Sequence, residues 1–216
     1  PAYRDYTAVE ADAAGQDFIW TPVPGIAERF VSPSGTHEAP YTNWTTAATS
    51  LVAVLEAASA GEVIWVTNAT YDLNEPLIVD KAVTLQSACG AAVTILRGSG
   101  AAGVLQVQNA NAVIAGFTIE QGRENAGTGA GVQLNEGYVH DCILRDNEGQ
   151  AVVMSNSPAA RLANCLIVNN TAAVGGEGVM INCTVSSNVQ SDVSAALVYN
   201  SIVDGTITAP EIRFTL

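Results

Sequence analysis

The sequence predicts an all-β solenoid, in which short parallel strands wind coil upon coil around one core. Two observations predict it. From Val113 to Thr206 one pattern recurs five times, as VIA-Gly116-FTI, VH-Asp141-CIL, LA-Asn164-CLI, MI-Asn182-CTV and VY-Asn200-SIV, at spacings of 25, 23, 18 and 18 residues. In each, two short apolar runs flank a single Gly, Asp or Asn. These residue types best tolerate the left-handed backbone region, so one of them between two apolar runs implies a sharp bend joining two strands. Three apolar residues per strand are too few for a hairpin sheet. They suffice if each strand lies on its equivalent in the next coil, ~4.8 Å away, and bonds to it.

Residues 1–29 do not carry the repeat and form an N-terminal arm, with Tyr3, Tyr6, Phe18, Ile19 and Trp20 among acidic and small residues before the connector TPVPG. Residues 30–61 form a capping segment. Thr45 or a neighbour starts a helix whose apolar face is Ala48, Leu51, Val52, Leu55 and Ala58, and Gly61 ends it. A helix placed before the first coil covers the open apolar end of a solenoid. Residues 62–216 form the solenoid, about six coils, opening with a strand at Val63–Val66. VTILRG and VLQVQ belong to one long coil or two short ones, with Gly98, Gly100 and Gly103 in a turn. Insertions at 122–131 and 171–178 explain the longer early spacings and become loops on one side, where binding could reside. The chain closes on TITAPEIRFTL, with Phe214 and Leu216 and no obvious polar cap.

Aligned positions sort by face. Phe117, Cys142, Cys165, Cys183 and Ser201 follow the bend, and Ile119, Leu144, Ile167, Val185 and Val203 lie two further on. With period-two alternation both columns point into the core. Five residues past each column cysteine stands Asn147, Asn170 or Asn188, a second ladder whose side-chain amides can bond along the solenoid at a turn.

The run from Phe30 to about Ser87, with VSPSGT, the Ala-rich helix and GEVIWVTNATYDLNEPLIVDKAVTLQS, followed by Asn-Cys-x-Val repeats, resembles right-handed parallel β-helix proteins of the pectin-lyase-like superfamily. It is similar to exported bacterial members of mostly unassigned role, over roughly residues 30–206. The resemblance implies right-handed coils of three short strands and an N-terminal capping helix. It also implies a search for lyase or hydrolase chemistry, since the lyases place acidic calcium ligands and a basic group on one exposed strand face and the hydrolases use clustered aspartates.

A formal net charge of −13, with Lys81 as the sole lysine, argues against nucleic acid and anionic membrane surfaces, and no run is long enough to span a membrane. Pro1 does not start a signal peptide, so the chain reads as an exported, extracellular or cell-surface protein in mature or trimmed form. Cys142, Cys165 and Cys183 have parallel Cβ vectors in one column, a poor geometry for bridging, and read as buried free thiols with Cys89 apart. No Cys/His spacing suggests a metal centre.

The nearest candidate for chemistry is Glu120, Arg123 and Glu124 beside Arg145, Asp146 and Glu148. The four carboxylates are suited to calcium or to divided acid and base roles, and equally to a solvated, salt-bridged turn region. Calcium is thus the one cofactor in view. His37 and His140 read as turn or packing residues. Trp20, Trp44 and Trp65 could stack on sugars, with core burial the plainer reading. No catalytic residue is assigned. The favoured function is a non-enzymatic extracellular β-helix that assembles head to tail with other copies of itself, through Tyr3, Tyr6, Phe18, Ile19 and Trp20 of the arm and Phe214 and Leu216 of an uncapped last coil. The alternative is a polysaccharide-binding or polysaccharide-lyase-like β-helix working through the 122–131 loop.

Overall fold

The computed structural model describes residues 27–125, 127–155, 157 and 159–213. They form three all-parallel sheets around one core. Sheet I has nine strands: Glu28–Val31, Val63–Val66, Thr84–Ser87, Val113–Ala115, Gly137–His140, Ala160–Ala163, Val179–Ile181, Leu197–Tyr199 and Glu211–Arg213. Sheets II and III have seven strands each. Sheet II runs from Ala69–Leu73 to Ile202–Val203, and sheet III from Leu77–Val79 to Ile207–Thr208. From Val63 the chain visits I, II and III in that order seven times, and Thr84 to Val107 supplies one of these passages, not two. Parallel crossovers are right-handed because a right-twisted strand packs back onto its sheet only that way, and the fold is a right-handed parallel β-helix.

Strand register explains how three-residue strands are stable. On sheet I, Ile64, Leu85, Ile114, Val139, Leu162, Met180 and Val198 stand in one inward column, and every one is completely buried. Each such side chain contributes about 1.5–3 kcal/mol on leaving water. Stacking the coils, rather than lengthening any strand, accumulates that stabilisation.

The bend between sheets I and II falls at Gly116, Asp141, Asn164, Asn182 and Asn200, all with positive φ. The preceding residues Ala115, His140, Ala163, Ile181 and Tyr199 are aligned on sheet I, so the five bends stack along one axis. A second row of positive-φ residues, Gln121, Asp146, Asn169 and Ser187, turns the chain out of sheet II.

The N-terminal end differs from expectation in detail. Glu28–Val31 already pairs with Val63–Val66, so a boundary at residue 29 cuts through the first strand of sheet I. Ala48 bridges Val31 instead of lying on a helix. Ser32 N donates to Ala48 O and Ala48 N to Phe30 O, which occupies part of the sheet edge. The helix is only Leu51–Ala57. It is capped by Ser50, whose hydroxyl accepts from Ala53 N, and it buries Leu51, Val54 and Leu55 while Val52 faces water. Gly61 does not end it. Lys81 Nζ donates to Leu55 O, Glu56 O and Ala58 O at 2.8–2.9 Å, placing a cation on the last carbonyls of the helix.

Candidate functional site

Cys142, Cys165 and Cys183 are buried and unbridged in one column between Phe117 and Ser201. Each thiol donates to the carbonyl two residues earlier, on His140, Ala163 and Ile181, at 3.2–3.3 Å. Burial pushes the central thiol, Cys165, well above the usual thiol range, and its two thiol neighbours push it the same way. This is an inert packing column, without the electropositive, accessible setting of a reactive cysteine.

The asparagine column is also interior. Asn147 N and Nδ2 both donate to Asn170 Oδ1, and Asn170 N and Nδ2 repeat this on Asn188 Oδ1. Each amide also donates to two strand carbonyls, Ile119 and Arg145 from Asn147, Leu144 and Val168 from Asn170, and Ile167 and Ser186 from Asn188. The next rung is Gly122, whose N–H donates to Asn147 Oδ1 and where a Cβ would meet Ala130 O at 1.9 Å. The column therefore satisfies backbone groups at a buried turn and presents nothing to a ligand.

The four candidate carboxylates do not converge. Glu120 is almost buried and sits in a file of alternating charge along sheet II, in register with Arg97 and Arg145, with Asp72 beyond Arg97. Arg97 Nε donates to its Oε1 at 3.2 Å, and Arg145 Nε and Nη2 donate to its Oε2 at 3.1 and 2.8 Å. Glu124 Oε2 accepts from Gln150 N, Glu148 pairs with Arg123, and Asp146 lies 3.7 Å from Arg145. Among the described residues no group of three or more His, Cys, Asp or Glu side chains is placed to hold a metal ion. The sequence reading overlooks Arg97. The signal for it is positional, since Asp72, Arg97, Glu120 and Arg145 each follow a core residue of one column, Tyr71, Leu96, Ile119 or Leu144.

The histidines are engaged locally. His37 Nδ1 accepts from Thr49 N at 3.0 Å, and His140 Nδ1 lies 2.6 Å from Asp141 Oδ2 with its ring stacked on Tyr138. Trp44 and Trp65 are not core residues. Trp44 is 42% exposed, edge-on to Phe30, and the register turns Trp65 outward beside Phe30. Trp65 Nε1 donates to Glu28 Oε1, while burial raises the Glu28 carboxyl above its ordinary value against the pull of that bond. Tyr3, Tyr6, Phe18, Ile19, Trp20, Phe214 and Leu216 lie outside the described residues.

One half-open cleft of about 270 Å³ adjoins the 122–131 loop, lined in part by Glu75, Ala102, Gln106, Asn125, Thr128 and Gly129. Three successive coils build it. Glu75 and Pro76 lead into Leu77–Val79, Gln106 lies on Leu105–Val107, and Asn125 to Gly129 lead into Val132–Leu134. The loop is braced on its neighbour by Arg123 N to Ala102 O, and internally by Thr128 Oγ1 to Asn125 O at 2.7 Å. Gly103 permits the close approach, because a Cβ there would meet Gly129 O at 2.5 Å. Gln106 Oε1 accepts from Gln108 Nε2, which orients the Gln106 amide. The lining combines a carboxylate, two side-chain amides and a hydroxyl, which together can accept from and donate to several hydroxyl groups.

No family model matches the sequence, and no curated protein does. Solved structures match in shape. Pectin methylesterase PemA from Erwinia chrysanthemi superposes with a TM-score of 0.50 at 15% identity, covering 80% of this chain and 64% of that one. A pectin methylesterase in complex with a hexasaccharide gives 0.48 at 14% identity over 84% and 80% of the two chains, and pectate lyase Pel9A gives 0.43 at 12% over 88% and 79%. The chain thus spans about 64% of the length of PemA. At such identities the likeness is one of fold.

Proposed function

We propose, for a chain that shares its fold with pectin-lyase-like β-helix proteins, that it binds polysaccharide outside the cell or at the cell surface and does not cleave it. The observation that carries this reading is the cleft beside the 122–131 loop, lined by Glu75, Gln106, Asn125 and Thr128. Its volume, at the low end for a ligand pocket, suits one sugar ring of a longer chain. Its one carboxylate and the net charge of −13 favour a neutral glycan over a polyuronate. Binding is favoured over catalysis because the cleft holds a single carboxylate, Glu75, and three others near the loop already neutralise arginines or hold backbone: Glu120 with Arg97 and Arg145, Glu148 with Arg123, and Glu124 with Gln150 N. Isothermal titration with neutral and uronate oligosaccharides tests it. Binding of a neutral glycan that Gln106→Leu and Glu75→Gln abolish supports the reading, and a panel with no binder removes it.

A second reading is head-to-tail assembly of copies of this chain. It draws on Glu211–Arg213, which among the described residues pairs only with Leu197–Tyr199, and on Ile212, which stands in register with the core residue Val198 yet is 40% exposed. Light scattering across a hundredfold range of concentration tests this reading. A constant monomer mass rules it out.

A further inference from the structure

A relay of hydrogen bonds leaves the cleft at Gly129 and crosses two coils of sheet III. Gly129 N donates to Gln133 Oε1 at 3.0 Å, Gln133 Nε2 donates to Asn135 Oδ1 at 2.8 Å, and Ser155 Oγ donates to that same oxygen at 2.7 Å. A backbone N–H can only donate, so the first bond fixes which end of the Gln133 amide is oxygen, and the second fixes Asn135 in turn. The Asn135 oxygen thus holds two donors within the protein, while its Nδ2 amine has no partner among the described residues. Asn135 adjoins the cleft: Gln133 stands in register with Gln106, which lines it, and Asn135 N donates to Val107 O on the same neighbouring strand. Gln106 repeats the pattern, since its Oε1 accepts from Gln108 Nε2 at 3.2 Å and its own Nε2 is left over. Two unused amines therefore stand on half-buried residues of adjacent strands, ~4.8 Å apart.

On the reading that the cleft holds one ring of a neutral glycan, we infer that the adjoining position at Asn135 takes a sugar carrying an acetyl substituent, as an acetamide or an acetyl ester, and binds its carbonyl oxygen. A donor with no acceptor beside it matches an oxygen that carries no hydrogen. A sugar hydroxyl set on such a donor still has a hydrogen of its own to place, whereas a carbonyl oxygen has none. A carboxylate is the other oxygen of that kind, and charge disfavours it: Glu75 is the one charged side chain lining the cleft, no arginine or lysine lines it, and the chain carries −13. Gln133 and Ser155 are positioning residues here, because they hold the Asn135 oxygen and so keep the amine for the ligand.

Isothermal titration with two matched pairs of neutral oligosaccharides tests this and separates the two sources of the carbonyl. Fragments of chitin and of cellulose differ by an acetamide against a hydroxyl, and acetylated and deacetylated glucomannan fragments differ by an acetyl ester. The parent protein should bind the acetylated member of at least one pair about tenfold more tightly, the effect of one hydrogen bond. Asn135→Asp keeps the oxygen that Gln133 and Ser155 use and loses the amine, so it should bind both members of that pair alike. Should it fail to fold, Gln133→Glu carries the test, since it keeps an oxygen for Gly129 N and removes the donor that fixes the Asn135 amide. Binding of neutral glycans without preference for the acetylated member overturns the inference and leaves the reading of the cleft standing, and so does a preference that the folded variant retains. A panel with no binder removes both.

Discussion

Asn147 and Asn170 lie one coil apart, and a single oxygen, Asn170 Oδ1, accepts from both the backbone N–H and the side-chain amide of Asn147, at 3.1 and 2.9 Å. The arrangement makes each rung depend on the next. Asn170→Ala strands the Asn147 N–H and removes a donor from the Leu144 and Val168 carbonyls, all at a buried turn. Unpaired buried groups cost about 1–3 kcal/mol each, so this substitution should cost about 3 kcal/mol or more. Asn188→Ala, at a half-buried rung that water can reach, should cost about 1 kcal/mol. Urea unfolding midpoints of the two variants test the order. Equal midpoints would show that the column carries no cooperative load.

The thiol column leads to a count. Of the four cysteines, Cys89 alone is exposed, so a thiol reagent should modify one group in the native protein and all four in denaturant. Ser201 already occupies the same column and donates to Tyr199 O at 2.8 Å, which makes Cys183→Ser a substitution the site accommodates, at about 1 kcal/mol. Cys165→Val should be similarly mild, because the Ala163 carbonyl it releases still accepts from Asp141 N. Modification of more than one native thiol would contradict the burial.

These features differ in how plainly the sequence announced them. The bends at Asn164 and Asn182 were legible because few residues tolerate positive φ, so chemistry narrows the choice at that position. The bends at Gln121, Asp146, Asn169 and Ser187 share the conformation without sharing a residue type, and only strand register aligns them. Trp65 was illegible for another reason. In VIWV every residue is apolar, so alternation cannot say which side faces the core. The helix start was blurred because Thr45, Thr46, Thr49 and Ser50 can all cap, and the pairing of Ala48 with Val31 decided among them. Of the cleft only one wall, the 122–131 loop, was legible as a candidate binding loop, since the other walls come from two further coils that strand register alone brings beside it.

Glu120 is held by two arginines that are themselves partly exposed. Glu120→Gln leaves Arg97 and Arg145 facing each other without the charge between them, and both can swing toward water, so the cost should be about 1–3 kcal/mol, below that of a fully buried pair. A divalent cation would have to displace both arginines to reach this carboxylate. Millimolar calcium should therefore leave the thermal midpoint unchanged, and calorimetry checks both points. A calcium-induced rise in the parent protein that Glu120→Gln abolishes would restore the cation reading.

Asn164 isolates the conformational term of the bend, because its side chain is exposed while its φ is 53°. An L-residue with a Cβ costs roughly 1–2 kcal/mol in this region, and asparagine is among the types least penalised there. Asn164→Ala should therefore lower stability by about 1 kcal/mol, whereas Asn164→Gly relieves the Cβ conflict and loses chain entropy instead, leaving a change of a few tenths. Gly116 supplies the converse. A Cβ built there lies 3.4 Å from Ser87 Cβ, an ordinary contact, so Gly116→Asn should be tolerated while Gly116→Val, β-branched and at φ 76°, should not. Denaturation of the four variants decides the matter. If Asn164→Ala equals the parent in stability, the bend is set by the neighbouring coils and not by the residue that occupies it.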